Sequence, residues 1–144
     1  MNPYADTSFL FSLFIADANT PSALTLRQAT ADPLPFTALH RLELRNAIHL
    51  AVFRKKITAA TAEAAWANVE TDLQSGALEP LPLNWPDVFG EAEKLAHLHT
   101  PATGSRSLDT LHVAAALATG AVDFITFDLR QAALAKLAGL NVKP

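Results

Sequence analysis

The stretch S-L-D-T-L-H-V-A-A-A-L-A-T-G-A-V-D-F-I-T-F-D-L-R-Q at residues 107–131 constrains the fold more than any other part of the chain. Leu108, Leu111, Ala114, Ala115 and Ala118 recur at helical spacing, so one face of a helix should pack on a core. The alanines on that face let a neighbouring element come close. Gly120 is a natural stop for this helix. F-I-T-F at 124–127 is short, aromatic and β-branched, as a buried strand is. A further helix is expected over 129–138.

Two carboxylates interrupt this apolar segment. Asp109 falls in the first turn of the first helix, and Asp128 follows the strand. Each has an ordinary explanation: an acid near a helix N-terminus complements the dipole, and Asp128 is placed to be an N-cap. Each also has a functional one, because ligands of open α/β sheets bind at the carboxyl ends of the strands. The choice depends on further acids elsewhere in the chain.

P-Y-A-D at 3–6 repeats the arrangement of strand, acid and helix, with an apolar helix through residues 9–15. A turn at 17–21 leads to a helix with Thr20 as cap and Pro21 at its first position, ending near residue 31. Phe36, Thr37 and Ala38 read as a second strand. A long helix follows from Leu39, with Leu39, Leu42, Ala47, Ile48, Val52 and Phe53 on its inner side. In that helix Glu43 has Leu39 and Ala47 at i±4, so it lacks a helical ion-pair partner. Thr58 caps a helix over 59–75 that Gly76 closes. The Pro-broken run at 78–83 is a short edge strand. N-W-P-D at 84–87 opens a helix to about residue 99, and T-P-A-T-G-S at 100–105 reads as a loop. Leu140, Asn141 and Val142 form a closing strand. This alternation predicts a single α/β domain across 1–144, with a central, mostly parallel sheet of about five strands flanked by helices.

No cysteine is present, which excludes disulfides, thiolate zinc sites and thiol nucleophiles. No segment has the length and apolarity of a membrane span, and no signal-peptide pattern opens the chain, so a cytoplasmic protein is expected. With 50% hydrophobic and 17% charged residues, apolar surface is left over for a partner. The net charge of −3 argues against nucleic-acid binding by bulk attraction. Contact with a nucleic acid then requires a local basic patch or metal ions.

Asp6, Glu43, Asp109 and Asp128 each lie at a strand end or in the first turns of a helix. A parallel sheet brings such positions to one edge. Four carboxylates in one pocket repel each other unless a divalent cation holds them. Mg²⁺ or Mn²⁺ suits hard oxygen ligands, and the chemistry that follows is attack of water on a phosphodiester.

The pieces A-D-T-S at 5–8, L-E-L at 42–44, S-L-D-T-L-H-V-A-A-A at 107–116 and D-F-I-T-F-D-L-R-Q at 123–131 span nearly the whole chain. In them the chain resembles PIN-domain ribonucleases, and among those the VapC-type toxins of toxin–antitoxin pairs. The resemblance implies a PIN-like fold and a Mg²⁺- or Mn²⁺-dependent endoribonuclease. It implies Asp6, Glu43, Asp109 and Asp128 as the acidic metal-binding residues, with Ser8 and Thr126 as hydroxyl residues beside them. It also implies RNA as substrate, a homodimer, and an antitoxin whose C-terminal segment covers the site. In this reading Asp6 and Asp109 are the core ligands, while Glu43 and Asp128 act through water or hold a second metal.

Arg41, Arg45 and His49 form a stripe on the helix that bears Glu43, either a phosphate-binding strip or a solvated face. Arg106 and Arg130 flank the acids and either bind RNA phosphate or pair with carboxylates. His112, one turn after Asp109, is expected to make a structural hydrogen bond, and Asp123 to be structural or solvated. Two alternatives compete with the nuclease. A haloacid-dehalogenase-like phosphatase needs a second Asp where Ser8 stands. A catalytically inactive PIN-like scaffold that binds RNA or protein has no use for four mutually repelling acids.

Overall fold

The structure, a computed structural model, describes residues 2–144. Five strands of three residues alternate with seven helices: β1 Pro3–Ala5, α1 Thr7–Phe14, α2 Thr20–Ala29, β2 Leu34–Phe36, α3 Ala38–Phe53, α4 Ala59–Ser75, β3 Leu78–Pro80, α5 Trp85–Thr103, α6 Ser107–Ala118, β4 Asp123–Ile125, α7 Leu129–Leu137 and β5 Asn141–Lys143. β1, β4 and β5 form one parallel ladder, and β2 and β3 form another. β2 runs alongside β1, with Cα atoms within 8 Å, so the spatial order is β3-β2-β1-β4-β5. The α/β architecture and the five parallel strands are as the sequence predicts. The order reverses direction between β1 and β4, which puts a crevice at their carboxyl ends.

Pro35 explains why the five strands fall into two ladders. Leu34 N–H donates to the Ala77 carbonyl and Leu81 N–H to the Phe36 carbonyl, so residues 34 and 36 face β3. Pro35 then faces β1, where it has no N–H to offer. The strand was expected two residues later because a proline flanked by another reads as a breaker. Thr37 is instead the N-cap of α3: its hydroxyl accepts from His40 N–H, and His40 Nδ1 accepts from Thr37 N–H.

Strand alternation divides the core into two parts. Tyr4 and Phe124, opposite each other in register, point to the side covered by α5, α6 and α7, where they pack with Val88, Leu95, Val113 and Leu134. Ala5 and Ile125 point the other way, towards Phe9, Leu10, Leu44, Ile48 and Val69 of α1, α3 and α4. The Tyr4 and Phe124 rings stack with centroids 5.6 Å apart.

Several expected boundaries and faces move. α5 runs through Thr103, so of the loop expected over 100–105 only residues 104 and 105 lie outside a helix. Pro101 sits in its last turn, Gly104 takes the left-handed conformation at φ +64° and donates to the Thr100 carbonyl, and Thr103 hydroxyl donates to the His99 carbonyl. The inner stripe of α3 is His40, Leu44, Ile48 and Ala51, whereas Leu42 and Phe53 are 70% and 82% exposed. The stripe is displaced because it begins with a buried histidine, which a hydrophobic pattern does not count. α6 is buried on all sides from Asp109 to Ala116, while Leu108 and Ala118 are exposed at its ends. Asn19, not Thr20, stands at the N-cap position of α2. Thr58 and Gly76 bound α4 as expected, with Gly76 at φ +84°. Among the described residues no helix is long and apolar enough to cross a membrane.

Candidate active site

Asp6 ends β1 and caps α1. Its Oδ1 accepts from Phe9 N–H at 3.0 Å and from the Ser8 hydroxyl at 2.7 Å, and its Oδ2 accepts from the Thr126 hydroxyl at 2.6 Å. The side chain is buried, and no ion pair among the described residues reaches it. Burial pushes the Asp6 carboxyl above its ordinary value, against the opposing hydrogen bonds from Thr126, Phe9 and Ser8 and the nearness of His112.

Thr126 ties Asp6 to Asp128. Its Oγ1 donates to Asp6 and accepts from Asp128 N–H at 2.9 Å. Asp128 in turn caps α7, with Oδ1 accepting from Arg130 N–H at 2.8 Å and Gln131 N–H at 3.2 Å. Capping therefore accounts for one oxygen of Asp128 and leaves Oδ2 for another ligand. The strand stops at Ile125, so Thr126 and Phe127 form the turn that delivers Asp128, not the end of β4 as the sequence suggested.

Asp109 lies in the first turn of α6, whose N-terminus reaches the same edge because the helix runs back along the sheet before β4. It is 4% exposed. Its Oδ2 accepts from Arg106 N–H at 2.8 Å, with Arg106 Nε 3.8 Å away, and its Oδ1 accepts from Gln131 Nε2 at 3.1 Å. Gln131 is buried, and its Oε1 has no hydrogen-bond partner among the described residues.

Glu43 sits in the second turn of α3. Its Oε1 accepts from the Thr7 hydroxyl at 2.8 Å and is bonded to His112 Nε2. Burial pushes Glu43 up, but the His112 and Thr7 contacts outweigh it and hold the carboxyl below its usual value. His112 Nδ1 lies 2.8 Å from the Tyr4 hydroxyl, whose pKa burial and the nearby acids raise well above normal. Nε2–H donates to Glu43, since a carboxylate only accepts, and the protonated Tyr4 hydroxyl holds Nδ1. As expected, His112 is a structural hydrogen-bonding residue, and its partner is one of the four acids. His40, one turn before Glu43, anchors α3 to β1. Burial and the nearness of His112 lower its pKa to about 3, so it is neutral, and Nε2–H donates to the Ala5 carbonyl at 2.7 Å.

The four acids thus share the carboxyl edge of the sheet: Thr126 and Gln131 bridge Asp6, Asp128 and Asp109, and Thr7 and His112 hold Glu43. Among the described residues no three His, Asp or Glu side chains are gathered closely enough to hold an ion as they stand. Their chemistry nevertheless fits a hard divalent cation: oxygen donors throughout, a buried carboxylate in no ion pair among the described residues, and one buried carbonyl oxygen with no donor among them. A cleft of about 450 Å³ opens beside Thr7 and Ser8 between α1 and α3, lined also by Phe11, Leu50 and Arg54.

The basic residues are placed unequally. Arg41 pairs with Glu70 at 3.0 Å, and the Arg45 guanidinium lies over the Trp66 ring, 4.4 Å from its centroid. Both are therefore tied to α4. Arg106 and Arg130 are exposed at the rim of the site. Asp123 is structural, accepting from Lys143 Nζ at 3.0 Å at the far end of β4. Sequence reasoning missed Tyr4, Thr7, His40 and Gln131. Thr7 lies within A-D-T-S and Gln131 closes the 107–131 stretch, but their partners are 36 and 22 residues away.

The PIN domain family matches residues 4–137. The chain belongs to that family. Solved structures agree in fold. One is the sarcin–ricin loop cleaving toxin VapC20 of Mycobacterium tuberculosis, with TM-score 0.71, 20% identity and 99% of each chain covered. Another is VapBC2 of Rickettsia felis, bound to a DNA fragment from its promoter, with TM-score 0.65, 14% identity and 99% and 98% covered. A third is FitAcB of Neisseria gonorrhoeae, with TM-score 0.62, 14% identity and 99% and 96% covered. No curated protein matches the sequence.

Proposed function

We propose that this protein is a metal-dependent endoribonuclease, the toxin of a toxin–antitoxin pair. The observation that carries the reading is the buried Asp6 carboxylate, joined through Thr126 to Asp128 at the sheet's switch point, with Asp109 and Glu43 on the same edge. Family membership and the likeness in fold to VapC toxins support it.

In this reading Asp6 and Asp109 hold Mg²⁺ or Mn²⁺, and Glu43 and Asp128 complete the site through water or a second ion. The cation, when bound, supplies a water of lowered pKa and neutralises charge on the phosphate. The chain's own groups do the rest. Ser8 and Thr126 fix both oxygens of Asp6. His112, backed by Tyr4, fixes Glu43, whose depressed pKa keeps it ionised and able to accept a hydrogen bond from water. Arg106 and Arg130 at the rim are placed for RNA phosphates, whereas Arg41 and Arg45 are engaged by Glu70 and Trp66 of α4. An antitoxin partner, a homodimer and a cytoplasmic setting belong to the same reading.

Incubating the antitoxin-free protein with total cellular RNA tests it. Discrete cuts are expected with Mg²⁺ or Mn²⁺ and none with EDTA, and sequencing the ends names the target. Cleavage that persists in EDTA would contradict metal dependence. Absence of cuts from folded protein moves the function to an inactive RNA- or protein-binding scaffold.

A further inference from the structure

Gln131 joins two of the four acids through different parts of itself. Its backbone N–H donates to Asp128 Oδ1 at 3.2 Å, and its side-chain Nε2 donates to Asp109 Oδ1 at 3.1 Å. The residue is 6% exposed, in the first turn of α7. Its Oε1 is buried and has no hydrogen-bond partner among the described residues. The orientation of the amide is fixed by Asp109, because exchanging oxygen and nitrogen would set a carbonyl against a carboxylate.

A buried carbonyl without a donor is costly, and an apolar side chain of similar length would avoid the cost. The position keeps an amide whose one end steadies a carboxylate and whose other end is an unused acceptor beside it. Hydrated divalent cations present water O–H donors to groups around their ligands, and Mg²⁺ in particular retains several waters. Carboxylate ligands are themselves held by such neighbours.

We propose that Gln131 is a positioning residue of the cation site: Nε2 fixes the Asp109 carboxylate, and Oε1 accepts a hydrogen bond from a water in the cation's hydration shell. This rests on the metal-dependent function proposed above. Gln131 touches neither RNA nor the reacting phosphate, and acts on both through Asp109 and the water.

The test is calorimetric titration of the full chain with Mn²⁺ alone, using wild type, Gln131→Met, Gln131→Glu and Asp109→Asn, with melting in EDTA as the measure of folding. Gln131→Met keeps length and burial but loses both polar atoms. It is expected to fold, with a melting temperature in EDTA that reports the lost hydrogen bond to Asp109, and to bind Mn²⁺ about 10- to 100-fold more weakly. Gln131→Glu returns an oxygen acceptor. It is expected to melt lower in EDTA, through repulsion from Asp109, yet to bind Mn²⁺ about tenfold more tightly than Gln131→Met. A purely structural amide predicts no gain of Glu over Met, since both substitutions remove the donor to Asp109. Wild-type affinity in Gln131→Met, with none in Asp109→Asn, overturns the proposal and leaves the metal site standing. Gln131→Glu binding no more tightly than Gln131→Met overturns the acceptor role. Failure of the wild type to bind Mn²⁺ overturns the proposed function itself.

Discussion

An Asp6→Asn/Asp109→Asn variant is expected to fold and to lose metal-dependent RNA cleavage by at least about a hundredfold, beyond what loss of a supporting contact gives. Neither substitution removes a buried side chain. At position 6 an Asn oxygen still accepts from Phe9 N–H and Ser8, and its NH₂ reaches the Thr126 hydroxyl, so α1 keeps its cap. What disappears is the pair of negative charges. The stability change has the opposite sign to the activity change. Burial raises the folded pKa of Asp6 above its unfolded value, so the native state binds the proton more tightly. Its effect on stability is therefore most favourable at low pH and worsens as pH rises from the unfolded through the folded pKa. Asp6→Asn escapes this penalty. In EDTA at neutral pH the single variant should melt above the wild type, and the gap should narrow as pH falls through the carboxylate range. Thermal melts across that range check the sign. A wild type that outlasts Asp6→Asn in EDTA at neutral pH would contradict a buried charge whose desolvation outweighs its hydrogen bonds.

Phe124→Ala is expected to cost about 3–5 kcal/mol, a large share of the roughly 5–15 kcal/mol that stabilises a domain. Phe124 is fully buried, stacks on Tyr4 and sits in β4, between β1 and β5. With a urea slope near 2 kcal/mol/M the unfolding midpoint should fall by about 2 M. Function should fall with it at physiological temperature, because β4 delivers Thr126 and Asp128, and Tyr4 holds His112. Phe53→Ala is the contrast. The sequence pattern placed Phe53 inside, but it is 82% exposed, and its loss should change stability by less than about 0.5 kcal/mol. Similar midpoint shifts for the two variants would contradict the assignment of the core.

These two phenylalanines differ in whether local pattern or tertiary structure decides their burial. Phe124 lies in a short apolar run bounded by turn residues, so its burial follows from local pattern. Phe53 looks like part of a helical stripe, yet the true stripe starts at His40, whose polar atoms are satisfied by Thr37 and the Ala5 carbonyl. Only tertiary structure supplies the last of those partners. The same holds at β2, where Pro35 is harmless because its missing donor faces a strand that makes no ladder with it. At the site, four acids stand out from sequence because each is a carboxylate in an apolar setting. Thr7, Tyr4 and Gln131 do not stand out, since a hydroxyl or an amide near a helix start has many local uses. Their roles depend on neighbours brought by the sheet order, such as His112 beside Glu43 and Asp109 beside Gln131.

The central claim is that the acids at the carboxyl edge of β1 and β4 form a divalent cation site, and melting temperature with and without Mn²⁺ tests it most directly. A ligand that binds only the native state stabilises it, by about 2.7 kcal/mol at a hundredfold excess over its dissociation constant. The wild type should therefore melt several degrees higher in Mn²⁺ than in EDTA, and Asp6→Asn/Asp109→Asn should melt at the same temperature in both. An equal rise in the two proteins would place the cation elsewhere and contradict the account.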